Sequence, residues 1–339
     1  MNNIVLKRNN SHPLVSVIIP LHWGLKKENY KRFLDDFNAF LVLDYDNYEI
    51  VLVTDRKIKL PFKSRKIKYI TTNKTTFSPT EKRDFALKHV KGEVCAFIDD
   101  DAYPDKNWIK NAVKNFRDNK IVAVGGPGVT PPKDTFWEKI GGYIIESYFG
   151  SGKVQYRFYN KPKRKLFVDD YPAYNLFIRT DILKKVGGYG STFYGGEDTY
   201  LCLKLIKKGL ILYDSEAVVF HHRRSFPLDH LKQIASVGIH RGYFFKKYPE
   251  TSRNLFYLLP TFLTLGILIA VLLAITVSRI FINIFLALFM LAIIAGTLSV
   301  KSHNAFWISS IISGFGIIVN HITYGIFFIK GLLITKLIN

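Results

Sequence analysis

Cysteine is scarce in this chain, and acid is short against base. Only Cys95 and Cys202 occur among its 339 residues, both in apolar surroundings, and neither their number nor their spacing supports a disulfide framework or a zinc site. Acid vanishes altogether in the last quarter: from Leu255 to Asn339 there is no Asp or Glu, and the full cations are Arg279, Lys301, Lys330 and Lys336. Such a segment reads as a membrane sequence. Leu255 to Val277, Ile280 to Val300 and Ala305 to Ile329 each hold about the 20 apolar residues that cross a bilayer as a helix. Three spans are expected, with two as the alternative, because the turn at Val277-Ser278-Arg279 is short and Asn320 and His321 fall at mid-depth. Polar residues there are expected to hydrogen-bond inside the helical bundle. No apolar core follows Lys7 and Arg8, so no signal peptide is expected.

What is present in excess is positive charge. Lys and Arg number 48 against 27 Asp and Glu, a formal net charge of +21. Arg241, Lys246, Lys247 and Arg253 crowd just before Leu255, which favours a cytoplasmic location for that side and contact with anionic lipid head groups. Nucleic acid is the rival partner for so basic a chain, but the apolar tail turns the reading towards membrane lipids and away from nucleic acid. Three regions are expected: a cytosolic α/β domain over residues 1–227, a basic amphipathic juxtamembrane segment over 228–254, and a transmembrane region over 255–339 with helices at 255–277, 280–300 and 305–329. The multi-pass chain would lie in the cell membrane with its soluble domain in the cytoplasm.

Within the first region, strand and helix patterns alternate. Leu14 to Pro20, Tyr48 to Val53, Ile67 to Thr71 and Gly92 to Ile98 read as strands, and Tyr30 to Leu41 and Thr80 to Val90 as helices. This order predicts βαβ units and a mainly parallel sheet. Its carboxyl edge would gather Pro20, Asp55 and the acidic run Asp99-Asp100-Asp101, which directly follows the apolar Val94 to Ile98. Ligands bind at that edge in open α/β sheets. Alternate carboxylates there, Asp99 and Asp101, could share one hard divalent ion bridging to a phosphate. A polar turn capping the next helix is the plainer alternative.

Further along, Tyr194-Gly195-Gly196-Glu197-Asp198 opens an amphipathic helix, so its two acids suit either helix capping or chemistry. Val218 to Phe220 is followed by His221, His222, Arg223 and Arg224; adjacent side chains on a strand point to opposite faces, so one histidine at most would reach an ion beside the acids. From Tyr143 to Arg164 aromatics interleave with cations, as on a sugar- or lipid-contacting surface or a solvated edge strand.

Taken in order, Val17-Ile18-Ile19-Pro20, Arg83, Phe97 to Asp101 with Pro104 and Trp108, Asn175, Gly187-Gly188-Tyr189, Gly196-Glu197-Asp198 and Gly209 make the chain resemble the family 2 glycosyltransferases. The resemblance covers roughly Leu14 to Pro249. It implies a nucleotide-sugar-binding domain of the GT-A type and inverting transfer of a sugar from a nucleoside diphosphate donor, UDP-sugar favoured and GDP-sugar possible. By the same resemblance Asp99 and Asp101 are the Asp-x-Asp site of a divalent metal, Mg2+ or Mn2+, with His221 as third ligand and His222 as the alternative. Asp198 is then the general base. Pro20, Asp55, Arg83, Asp99, Asp100, Asn175, Glu197 and Arg224 would bind the nucleotide sugar. Gln233, Gly238 and Arg241 resemble a further element of the family. Thr54, where a second Asp is frequent, and Asp84, where Asn is usual, depart from the pattern and leave the base undecided. The acceptor is expected to be lipid-linked or membrane-bound, for glycan or cell-surface polysaccharide assembly. A catalytically silent nucleotide-binding membrane scaffold is the alternative.

Overall fold

A computed structural model describes residues 12–21, 27–55, 61, 64–72, 78–190, 195–303 and 305–337; the N-terminal Met1 to Asn10 and Tyr194 lie outside them. Strands run in chain order as β1 (Val15–Pro20), β2 (Tyr48–Thr54), β3 (Ile67–Thr71), β4 (Val94–Ile98), β5 (Ala102–Pro104), β6 (Ile121–Gly125), β7 (Gly128–Val129), β8 (Lys165–Val168), β9 (Asn175–Arg179), β10 (Leu210–Asp214) and β11 (Val219–His221). Helices are α1 (Lys27–Phe37), α2 (Pro79–Ala86), α3 (Trp108–Val113), α4 (Phe136–Glu146), α5 (Tyr148–Ser151), α6 (Thr180–Lys185), α7 (Glu197–Leu205), α8 (Leu228–Lys247), α9 (Pro249–Ser252), α10 (Leu255–Thr276), α11 (Ile280–Lys301) and α12 (Trp307–Leu333). By internal contacts the chain falls into two compact units, residues 1–129 with 160–221, and residues 130–159 with 222–339.

The first unit is built on a sheet ordered β3-β2-β1-β4-β9-β6-β10-β8. β1 lies parallel between β2 and β4, and β3 and β10 also pair parallel with β2 and β6. β9 enters antiparallel to both β4 and β6, so the sheet is mixed where the alternating pattern predicted only its parallel part. Continuous apolar runs make β1 and β4 fully buried, as strands covered on both faces require. A second sheet, β5-β11-β7, is made of strands of two or three residues. α2 begins with Ser78 accepting from the Glu81 N–H while the Glu81 carboxylate accepts from the Ser78 N–H, with Pro79 at the first helical position, a reciprocal cap that satisfies two donors otherwise left open. Cys95 and Cys202 are buried free thiols.

The second unit is helical. Thr135 and Glu138 cap α4 reciprocally, and Ile140 and Ile144 of that helix pack with Val300, Ala305 and Ile317. Residues 143–157, whose alternating aromatics and cations left their structure open, are helical throughout this stretch apart from Ser147. α10, α11 and α12 are each long and apolar enough to cross a membrane. Asn320 and His321 bond inside the unit: His230 Nε2 donates to Asn320 Oδ1 at 3.0 Å and His321 Nε2 to the Phe149 carbonyl at 2.6 Å.

Candidate active site

Strand register brings the acids and the histidine together. β4 ends at Ile98, so Asp99, Asp100 and Asp101 leave the sheet at its carboxyl edge, and β11 then pairs antiparallel with β5 so that His221 stands opposite Ala102. His221 Nε2 accordingly reaches Asp101 Oδ1 at 3.1 Å although the residues are 120 apart in sequence. One donor atom each from Asp99, Asp101 and His221 lies within 4.8 Å of the others. Two carboxylate oxygens and one imidazole nitrogen at that spacing fit a single Mg2+ or Mn2+ ion. The neighbouring His222 is turned into the second unit, where it bonds Asp134. Asp100 is half-buried on the turn between the two aspartates of the cluster.

α2 connects this cluster to the rest of the edge. Three consecutive residues fan out about 100° apart around the helix and each meets a different partner. Lys82, without exposed surface, donates to the Leu21 carbonyl at 2.7 Å, just beyond Pro20, and to Asp55 Oδ2 at 2.9 Å. Arg83 pairs with Asp99 at 2.6 Å and stands 3.8 Å from Glu197 and 3.9 Å from Asp198. Asp84 accepts from the backbone N–H groups of Tyr189 and Gly190 at 2.7 and 2.9 Å. Lys204 holds the same loop through the carbonyls of Gly188 and Tyr189. Gly188 lies at φ +66°, with Asp84 so near that an added Cβ would overlap its carboxylate.

Glu197 and Asp198 open α7 after Gly196, whose φ of +76° suits glycine and turns the chain into the helix. Glu197 accepts from the Gly195 N–H. Asp198 Oδ2 accepts from the Ala173 N–H at 3.0 Å, and its Oδ1 has no hydrogen-bond partner. Burial, then the charge of Glu197, pushes the Asp198 carboxyl up to about 8 against the opposing pull of Arg83, even though a quarter of its side-chain surface stays accessible. The site thus holds a carboxyl raised towards neutral pH beside a cluster whose spacing could hold a cation.

Two expected ligand residues are placed differently. Asn175 has no exposed surface: its Oδ1 accepts from Trp108 Nε1, and its Nδ2 donates to the Pro127 and Ala217 carbonyls. It braces the main sheet against the chain entering β7 and β11. Arg224 is exposed and belongs to the second unit. Conversely, the partners of Lys82, Asp84 and Lys204 had no signal in the sequence, since each is recognised only by where its charge ends up.

Comparison with known proteins identifies the family and the fold. Glycosyl transferase family 2 matches residues 16–187, just over half of the chain. The chain belongs to glycosyl transferase family 2. An uncharacterised glycosyltransferase of Rickettsia typhi is 25% identical over 229 residues, covering 63% of this chain and 65% of the relative. A pre-mycofactocin glycosyltransferase of Mycobacterium tuberculosis is 25% identical over 163 residues, covering 47% and 33%. This family 2 glycosyltransferase therefore spans less than two thirds of the length of either relative. Among solved structures, a mannosyltransferase of Pyrobaculum calidifontis in complex with GDP-Man and Mn2+ superposes with a TM-score of 0.61 at 15% identity, covering 97% of this chain and 89% of the other. The shared architecture is the GT-A fold.

Proposed function

We propose that this family 2 glycosyltransferase moves a sugar, with inversion, from a nucleoside diphosphate sugar to the hydroxyl of a lipid-linked or membrane-bound acceptor at the cytoplasmic face of the cell membrane. The observation that carries this reading is the convergence of Asp99, Asp101 and His221 with Asp198, whose Oδ1 accepts no hydrogen bond within the protein. Asp198 takes the proton of the acceptor hydroxyl as that oxygen attacks the anomeric carbon; the bond from that carbon to the diphosphate breaks, and the nucleoside diphosphate leaves. Such a base contributes about 10²–10⁴-fold. A Mg2+ or Mn2+ ion held by Asp99, Asp101 and His221 would supply positive charge to the departing diphosphate. Arg83 pairs with Asp99 and also reaches Glu197 and Asp198, a cation shared among the three acids. Asp55 keeps its Oδ1 buried and open while Lys82 holds the other oxygen, which suits the ring N–H that uracil and guanine both present. UDP-sugar and GDP-sugar are therefore both compatible with Asp55, and the Pyrobaculum neighbour was solved with GDP-Man.

The test is nucleotide release by the detergent-purified protein across a panel of UDP- and GDP-sugars, with Mg2+, Mn2+ or chelator, and with extracted membrane lipids as acceptor. Release from one donor, abolished by chelator and in Asp101→Ala, is the expected result. Absence of release from every donor with lipids present would turn the reading to a nucleotide-binding scaffold.

A further inference from the structure

We infer that α12 does not cross the membrane: it lies along the bilayer surface beside α8, and the α10–α11 hairpin is the membrane-spanning element of the described residues. Length and apolar composition allow all three helices to span; the packing of the second unit separates them.

The first observation is one of level. α10 and α11 are joined by a three-residue turn, so position along either leg is measured from it. A Cβ on Gly325 of α12 would overlap Thr264 and meet the Pro260 carbonyl at 2.6 Å; one on Gly314 would overlap Thr297 and meet the Ile293 carbonyl at 2.8 Å. Thr264 and Pro260 lie 12 and 16 residues before Thr276, and Ile293 and Thr297 lie 13 and 17 residues after Ile280. The two contacts are therefore at one level on the hairpin, but they are 11 residues apart on α12, about 16 Å at 1.5 Å per residue. A helix running along the hairpin would change level by that distance; α12 runs across it.

The second observation is the company α12 keeps. Gly238 and Gly242 of α8 sit against Tyr324, Phe328 and Gly331, close approach that only small residues permit. With His230 bonded to Asn320 at the start of α8 and Lys246 Nζ donating to the Ile334 carbonyl at 2.8 Å at its end, the two helices run parallel over most of α8. α8 carries Asp229, Lys232, Arg241, Lys246 and Lys247, which cannot lie in hydrocarbon without a large cost. Lys246 also precedes α10, so the end of α12 is held beside the start of the hairpin. The middle of α12 meets the same region, through Gly316 against Ile144 and His321 against the Phe149 carbonyl, while Ser299 near the end of α11 bonds Ser147 and Phe256 at the start of α10 packs on Gly152.

The third observation is the outer face. α12 buries Ser309, Ser310, Ser313, Asn320, Tyr324 and Phe328 and exposes Ile308, Ile311, Phe315, Ile326 and Leu333, an apolar stripe of helical spacing. α10 and α11 by contrast expose apolar residues around their circumference. One lipid-facing stripe opposite a protein-packed face is the pattern of a helix seated about 5–10 Å into the interface. Gly238, one of the motif residues of α8, thus serves as packing for this surface layer.

The test is sidedness in the full chain, after replacing Cys95 and Cys202 by Ala and checking that donor turnover survives. Glu250→Cys, Ser278→Cys and Lys336→Cys, each at an exposed position, are exposed to a membrane-impermeant maleimide in sealed vesicles of one orientation. Lys336→Cys is expected to label with Glu250→Cys, and Ser278→Cys from the opposite side only. Labelling of Lys336→Cys with Ser278→Cys would overturn the inference, and labelling of all three from one side would overturn the hairpin as well. Should the cysteine-free background lose its fold, spin labels at Ile311→Cys, Phe315→Cys and Ile326→Cys in the wild-type background, where both native thiols are buried, give a second readout. Equal oxygen and nickel-chelate accessibility at all three is expected, and a profile passing through the bilayer midplane contradicts it.

Discussion

At the residue scale, Asp198 carries a large electrostatic signature. Its carboxyl is raised from 3.8 to about 8, by burial first and Glu197 second, so the folded protein holds this proton more tightly than the unfolded chain. The stability this contributes is full below pH 3.8 and is lost as pH rises to about 8. Asp198→Asn removes the dependence. In thermal melts its Tm advantage over wild type is expected to widen from about pH 4 to about pH 8 and then level off, by about 2–4 °C per kcal/mol of relief. Turnover runs the other way, because the base must be ionised: wild-type kcat/KM is expected to rise with pH through an apparent pKa between those two values. Asn175 predicts a different outcome. Asn175→Leu leaves the Trp108 N–H and two carbonyls without partners and is expected to cost on the order of 2–3 kcal/mol in denaturant unfolding. Asp99, Asp101 and Asp198 stand in short, ordered motifs and His221 directly follows a short apolar run, which is why the sequence could single out residues that the fold brings near one another. Asn175 stood in such a motif too, but a motif does not say whether its amide faces a ligand or the protein, and the structure shows all of it spent on the protein.

At the scale of elements, α2 explains why the site holds its shape. Lys82, Arg83 and Asp84 tie the β1 and β2 ends, the Asp99 cluster and the Tyr189 loop to one helix. Asp84 is half-buried, and that burial raises its carboxyl against two backbone N–H donors. Asp84→Asn keeps one acceptor oxygen but turns its NH2 towards the other backbone N–H, so an intermediate loss of stability is expected; Asp84→Leu leaves both the Tyr189 and Gly190 N–H groups unpaired and is expected to lose on the order of 2–4 kcal/mol. Lys82→Met is expected to weaken nucleoside diphosphate binding in calorimetry, because Asp55 loses the cation that holds it. The long strands β1, β2 and β4 were readable from apolar runs, and β3 from its exact span. β5, β7 and β11 were not, since two or three residues carry no period, and the antiparallel entry of β9 is set by tertiary pairing that alternation cannot register.

At the scale of the whole molecule, hydropathy located three helices long and apolar enough to cross a membrane but could not orient them. A helix that spans and a helix that lies on the surface can share length and composition; what separates α12 from α10 and α11 is which residues its buried face meets. The grouping of residues 130–159 with the C-terminal helices was equally silent in sequence, because it depends on Asp134, Thr130 and Glu146 receiving His222 and Arg223 from far along the chain. Tethering the transferase domain to a bilayer raises its effective concentration at a membrane-bound acceptor, so turnover on a lipid extract is expected to exceed turnover on a soluble sugar acceptor, assayed in the same proteoliposomes. The central claim, that Asp198 is the base of a metal-dependent transfer, is tested most directly by measuring donor binding and nucleotide release side by side for wild type and Asp198→Asn with Mn2+ present. The account predicts donor affinity unchanged and turnover reduced by about 10²–10⁴-fold; turnover within a few-fold of wild type would contradict it.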